Sequence, residues 1–208
     1  MNVRTTSSRA SGGALLITLL IAGCGSTAPH DPASDQASSA SSVMKTVSVE
    51  ASWAYDIEDQ TLVAGASDSI FVGTVLEKLD STSRMADLPE TQYTVHVNSV
   101  LKGDVSGDIT ISQQGGIDAE KNTLLLLEND PLVEAGSAYL FTAVLDPKVG
   151  WYTITPVTGH QDIPVDTASQ LEGAGRGRAA PPELQSVTDM RIAIENEVVP
   201  SENEVTPN

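Results

Sequence analysis

Tyr93, Val95 and Val97 alternate with Thr94, His96 and Asn98, and Leu101 keeps the same phase. A repeat of two gathers the apolar side chains on one face of an extended chain, whereas a helix would scatter them. This stretch fixes a half-buried strand, and its neighbours follow the same logic. Ile70 to Leu76 is a nearly continuous apolar run, as in a central strand covered on both faces. Ile109 and Ile111 alternate with Thr110 and Ser112, and Gln114-Gly115-Gly116 reads as the end of that strand. Leu124 to Leu127 is a short buried segment of open type. Glu134 to Ser137 turns into the run Ala138–Leu145, and Asp146 to Gly150 closes a hairpin onto Trp151–Ile154. Upstream, Val47, Val49, Ala51 and Trp53 alternate, Ala54 to Asp59 tolerates helix, and Gln60 to Ser67 suits a short helical lead-in. Five or six short strands within about a hundred residues predict a mainly β domain, a small antiparallel barrel or sandwich with short flanking helices.

The 208 residues hold two Trp, four Tyr and two Phe, so the core must be mostly aliphatic. Eleven Lys and Arg stand against 28 Asp and Glu, a formal charge of −17. Phosphate would be repelled rather than neutralised, which argues against a nucleic acid partner. A single cysteine excludes an internal disulfide framework and any zinc site built on several thiolates.

That cysteine ends a three-part N-terminus. Arg4 and Arg9 form a basic start with no acidic residue, and Ala14 to Ala22 is an apolar run. The run is shorter than the roughly 20 residues a membrane-spanning helix needs, and it has the length of a signal-peptide core. Ile21-Ala22-Gly23-Cys24 follows and resembles the lipobox of bacterial lipoproteins. An ordinary secretory signal would share the first two parts but would not require the cysteine. The resemblance implies cleavage between Gly23 and Cys24, and a diacylglyceryl group on the Cys24 thiol put there by the lipoprotein-processing enzymes. Loss of Arg4 and Arg9 with residues 1–23 takes the net charge from −17 to −19. Such a chain is pushed off an anionic lipid surface unless acyl chains hold it. Residues 24–42, rich in Ser and Ala, cannot bury enough surface to order themselves and read as a flexible tether. The domain plan is therefore signal peptide 1–23, tether 24–42 and β domain 43–165. In 166–208 it expects a linker, a helix over 183–197 after Pro182, and a disordered tail.

Three stretches resemble the netrin-like module, the OB-type barrel shared with tissue inhibitors of metalloproteinases. They are Ala66–Val75, Tyr93–Gly103 and Gly136–Phe141, similar to that module's A-D-x-hydrophobic-x-G-x-V, Y-x-V-x-V…K-G and G-x-x-Y-L-hydrophobic patterns. The resemblance covers about residues 62–160 and implies an OB-like barrel. It does not imply metalloproteinase inhibition. Those inhibitors set a free N-terminal cysteine on the catalytic zinc and brace it with disulfides. Here Cys24 would be acylated, and Gly115-Gly116 stands where the family has Cys-Gly.

Signals for chemistry are sparse. His96, His160 and Asp162 offer two imidazoles and a carboxylate that a barrel would have to bring together to bind zinc; otherwise each histidine sits on a solvent-facing strand surface. The acidic groups Asp56-Glu58-Asp59, Asp118-Glu120 and Glu128-Asp130 lack the spacing of a calcium loop. Ser42-Val43-Met44-Lys45 matches Ser-x-x-Lys, but its companion elements are missing, as are a nucleophile elbow and a phosphate loop. No cofactor is called for. Trp53, Trp151 and Tyr152 are the aromatic candidates for a contact face, with a core role as the alternative. The sequence thus predicts a non-enzymatic lipoprotein on the extracytoplasmic face of the cell membrane, displaying a binding module toward an envelope protein or other ligand. Its alternatives are a metal-assisted envelope hydrolase using His96 and His160, and an accessory subunit of a membrane complex.

Overall fold

The computed structural model describes residues 44–79, 81–84, 88–175 and 184–201. The expected signal peptide, Cys24, the expected tether, residues 176–183 and the last residues of the tail lie outside the described residues. The elements are β1 (Lys45–Val49), α1 (Gln60–Ala66), β2 (Ser69–Lys78), β3 (Glu90–Lys102), β4 (Asp108–Asp118), β5 (Thr123–Leu127), β6 (Ala138–Asp146), β7 (Trp151–Ile154), β8 (His160–Ile163), α2 (Val165–Gly175) and α3 (Gln185–Glu195). The fold is mainly β, as the alternation predicts.

The strands run in the order β1-β5-β4-β3-β2-β6-β7, and β8 also pairs with β6. A short parallel pairing of Ile111 with Tyr152 and Ser112 with Thr153 joins β4 to β7. It partly closes a ring of β4, β3, β2, β6 and β7, an arrangement compatible with a small OB-like barrel. The three stretches that resemble the netrin-like module fall largely on β2, β3 and β6, which are direct neighbours.

The alternation of β2 divides the core in two. Phe71 and Val75 point into the ring with Tyr93, Val95, Ile111, Tyr139, Phe141 and Ile154. Ile70 and Val72 point outward and are covered, with Ala138, Leu140 and Ile163, by Ala64 of α1, Ala168 of α2, and Val187, Met190 and Ala193 of α3. β2 is therefore covered on both faces, as its continuous apolar run requires. Phe71 tilts against Phe141 with ring centroids 5.4 Å apart, so the few aromatics concentrate in the ring.

Three segments depart from the sequence reading. β4 does not end at Gly115-Gly116 but bends there. Positive φ angles of 115° and 154°, open to glycine at little cost, let the strand leave β3 and pair with β5 through Gly115–Leu126 and Gly116–Leu125. Leu124 to Leu127 is accordingly a strand, and β5 carries β1 as a parallel edge. Residues 166–175, expected as linker, belong to α2. Its first turn hangs on the Pro164 carbonyl, which accepts from the Thr167 and Ala168 amides at 2.9 and 3.0 Å. Buried Ala168 and the partly buried Leu171 then fix α2 to the sheet.

α1 begins at Asp59, whose carboxylate accepts from the Thr61 and Leu62 amides. At its other end Lys102 Nζ donates to the Ala64 carbonyl at 2.8 Å and pairs with Glu197 at 2.5 Å. The Val198 amide donates to the Thr61 carbonyl, and the Val198 backbone lies where a Cβ on Gly65 would stand. The chain after α3 is thus strapped across α1.

Candidate functional site

A cavity of about 450 Å³ opens between β6, β8 and the segment joining β5 to β6. Asp130, Glu134, Ser137, Tyr139, His160 and Asp162 contribute its polar lining. Strand pairing explains the assembly. Phe141 opposes His160 and Tyr139 opposes Asp162, so His160 and Asp162 share the inner face of the sheet with those rings. The ring centroids of Tyr139 and His160 are 5.9 Å apart in a T-shaped contact.

Asp130 arrives from the far side of the cavity. Glu128 and Asn129 both take positive φ and turn the chain sharply after β5, and the Asp130 amide donates back to the Leu127 carbonyl at 2.7 Å. The Asp130 side chain is only 4% exposed and would be costly to bury alone. Its Oδ2 accepts from Gln113 Nε2 and the Val157 amide, while Oδ1 lies 3.3 Å from His160 Nε2. Gln113 holds the segment in place. Its Nε2 also donates to the Pro131 carbonyl and its Oε1 accepts from the Val133 amide. On the cavity's rim, the Tyr139 hydroxyl accepts from the Glu134 amide at 3.1 Å.

The His160 side chain is 7% exposed, and its Nδ1 is buried with no hydrogen-bond partner. With Nε2 directed to Asp130, no hydroxyl completes a Ser–His–Asp arrangement at this histidine among the described residues. The cavity offers carboxylates, the edge of an imidazole and an aromatic ring.

The metal set proposed from sequence is not assembled. His160 and Asp162 line one cavity, but His96 lies on the other side of the sheet. Tyr93, Val95 and Val97 take the inner face of β3, so His96 faces outward toward α2. There its Nδ1 meets Asp108 Oδ1 at 2.6 Å, and its Nε2 is 3.6 Å from Glu172 Oε1. The hydrogen bond to the Asp108 carboxylate and its charge, with a smaller contribution from Glu172, raise the imidazole pKa against a lowering by burial. Among the described residues no three His, Cys, Asp or Glu side chains are placed to hold a metal ion. His160 is also not the solvent-facing residue of the alternative reading, since it is buried.

The aromatic candidates separate as well. Trp53 is half-buried in an apolar groove of about 280 Å³ with Tyr55, Ile57, Val144, Ile154 and Pro156. Trp151 carries the Arg84 guanidinium 5.7 Å above its ring. Tyr152 packs edge-on against Phe71 at 6.4 Å and serves the core. Sequence reasoning overlooked Asp130, Glu134 and Tyr139 as site residues. Thirty positions part Asp130 from His160, and no local spacing signals a pair made by sheet topology. No known protein-family model matches the chain, and no curated protein matches it either.

Proposed function

We propose that this chain is a bacterial lipoprotein, anchored through diacylglyceryl on Cys24 to the extracytoplasmic face of the cell membrane, that displays its β domain as a non-enzymatic binding module. One observation carries the reading: the only cysteine in the chain stands at the end of Ile21-Ala22-Gly23-Cys24, directly after a basic start and an apolar run of signal-peptide length. Residues 25–42 would tether the module away from the bilayer, which suits a protein of strongly negative charge. The resemblance to the netrin-like module supports a binding role, and so does a polar cavity of a size that small ligands occupy. α3 is less suited to recruiting a membrane complex, because Val187, Met190 and Ala193 are already buried against the sheet and Ile192 is its one large apolar side chain left exposed.

In-cell crosslinking of the tagged chain, followed by mass spectrometry of what co-purifies, tests this reading. One reproducible envelope partner, lost from the Cys24→Ala form, is the expected result. Turnover of an envelope substrate by the purified protein, abolished by a single substitution, would overturn it.

A further inference from the structure

We infer that β1 is a self-association edge: it pairs antiparallel with β1 of a second copy of this chain, about a two-fold axis at Ser48. The inference goes beyond the binding-module reading and does not rest on the anchor. β1 ends the strand order and is paired on one side only, in parallel with β5. The Glu128 amide donates to the Val49 carbonyl at 2.8 Å, so Val49 turns its main-chain groups toward β5. Residues that do so alternate along a parallel ladder, which leaves Thr46 and Ser48 with N–H and C=O directed away. Both residues are exposed, and among the described residues no strand lies beyond them. Such an edge is a template for another strand, and proteins that keep it free blunt it with proline, bulges or charges. β1 has no proline and an unbroken register, and its one charge, Lys45, stands at its end.

The register that uses the free groups is self-complementary. Residues of two antiparallel strands that exchange both hydrogen bonds stand opposite each other. Ser48 then faces Ser48 of the second copy, and Thr46 faces its Glu50. Between these pairs, Val47 faces Val49 of the second copy at non-hydrogen-bonded positions, where side chains come closest. Each valine is backed by a leucine of its own chain, because Val47 is in register with Leu125 and Val49 with Leu127. The pairing therefore lines up Leu125, Val47, Val49 and Leu127 across four strands, twice, on one face. Val47, Val49 and Leu125 are only half-buried in the single chain, so the pairing covers surface that the fold leaves open. Local charge does not oppose it. In a chain of −17, β1 and β5 together carry only Lys45. The two Glu50 carboxylates would stand four positions apart, roughly 13 Å, beyond the screening length of about 10 Å at 0.1 M salt.

Oxidative crosslinking of the full chain, purified in mild detergent, tests this register with one added cysteine at a time. The unsubstituted chain sets the background from Cys24. Opposed residues lie about 5.5 Å apart between Cα atoms, within disulfide reach, whereas Thr46 of the two copies would not meet. Ser48→Cys is thus expected to form dimers at least tenfold faster than Thr46→Cys or Glu50→Cys alone. Mixing Thr46→Cys with Glu50→Cys, each with its own tag, should restore fast crosslinking between unlike chains. Thr46→Pro removes an outward N–H that β5 does not use, a substitution edge strands tolerate. Added to Ser48→Cys, it should slow crosslinking tenfold or more, with an unchanged urea midpoint showing that the fold is intact. The inference is overturned if no chain crosslinks above background, if the three single-cysteine chains crosslink alike, or if Thr46→Pro leaves the Ser48→Cys rate untouched. None of these results bears on the anchor, which the mass of Cys24 decides separately.

Discussion

Arg84 shows how much one side chain ties together. Its guanidinium gives Nε and Nη2 to the two Glu90 oxygens at 2.8 and 3.2 Å, Nη1 to Asp146 at 2.9 Å, and Nη2 to Thr153 Oγ1 at 2.8 Å. It thereby joins β3, β6 and β7 beside the pairing that closes the ring. The Glu90 side chain is 2% exposed, so Arg84→Ala would strand a buried carboxylate and should cost about 3–5 kcal/mol in urea denaturation. Replacing both partners, Arg84→Met with Glu90→Leu, should recover most of that loss; equal losses in both variants would contradict this account. Val157 poses the opposite case. It holds φ at 66°, a conformation β-branched residues avoid, while its amide serves Asp130. Val157→Asn keeps the amide and relieves the strain, so a gain of about 1 kcal/mol is expected by the same measurement. His96 supplies a pH dependence. Asp108 and Glu172 raise its folded pKa above the ordinary 6.5, so its stabilisation is complete below that value and is lost as pH rises through the raised pKa. The urea midpoint of the native chain should exceed that of His96→Gln most at pH 5.5, with the gap closing toward pH 9. A gap that ignores pH would refute the pairing.

Among the elements, those held by local pattern were legible in the sequence and those held by distant partners were not. The alternation in β3 and the two-faced apolar run of β2 follow from side chains a few positions apart, as do the hairpin at Asp146–Gly150 and α3 after Pro182. The bend in β4 was hidden because glycine pairs end strands as readily as they bend them. Only β5, waiting to pair with Gly115 and Gly116, decides between the two. α2 was hidden because Gly173 and Gly175 suggest a linker, whereas burial of Ala168 against Val72 and its neighbours stabilises the helix from outside. The cavity was half legible. His160 and Asp162 are two apart on one strand, but Asp130 reaches them only through the turn after β5 and the β6–β8 pairing. α3 contributes to the outer core mainly through Met190, which is 1% exposed. Met190→Ala should therefore cost about 2–5 kcal/mol in urea denaturation, and a loss under about 1 kcal/mol would mean that α3 rests on the sheet without stabilising it.

At the scale of the whole molecule, the folded domain is a partly closed β ring backed by three helices, and the proposed reading adds a small-residue tether that holds it to the membrane. The ring's two cores leave the cavity at His160 open on one side, so a bound ligand need not disturb the packing that holds the fold. In that proposal the strongly negative charge makes the anchor decisive, since without it the domain would have no electrostatic reason to stay near an anionic bilayer. Intact-mass and N-terminal peptide mass spectrometry of the membrane-extracted protein test that claim most directly. The account predicts a mature chain beginning at Cys24, heavier than its sequence by a diacylglyceryl group, and a Cys24→Ala form that lacks this mass and leaves the membrane fraction. An unmodified Cys24, or a chain cut elsewhere and recovered free of the membrane, would contradict it.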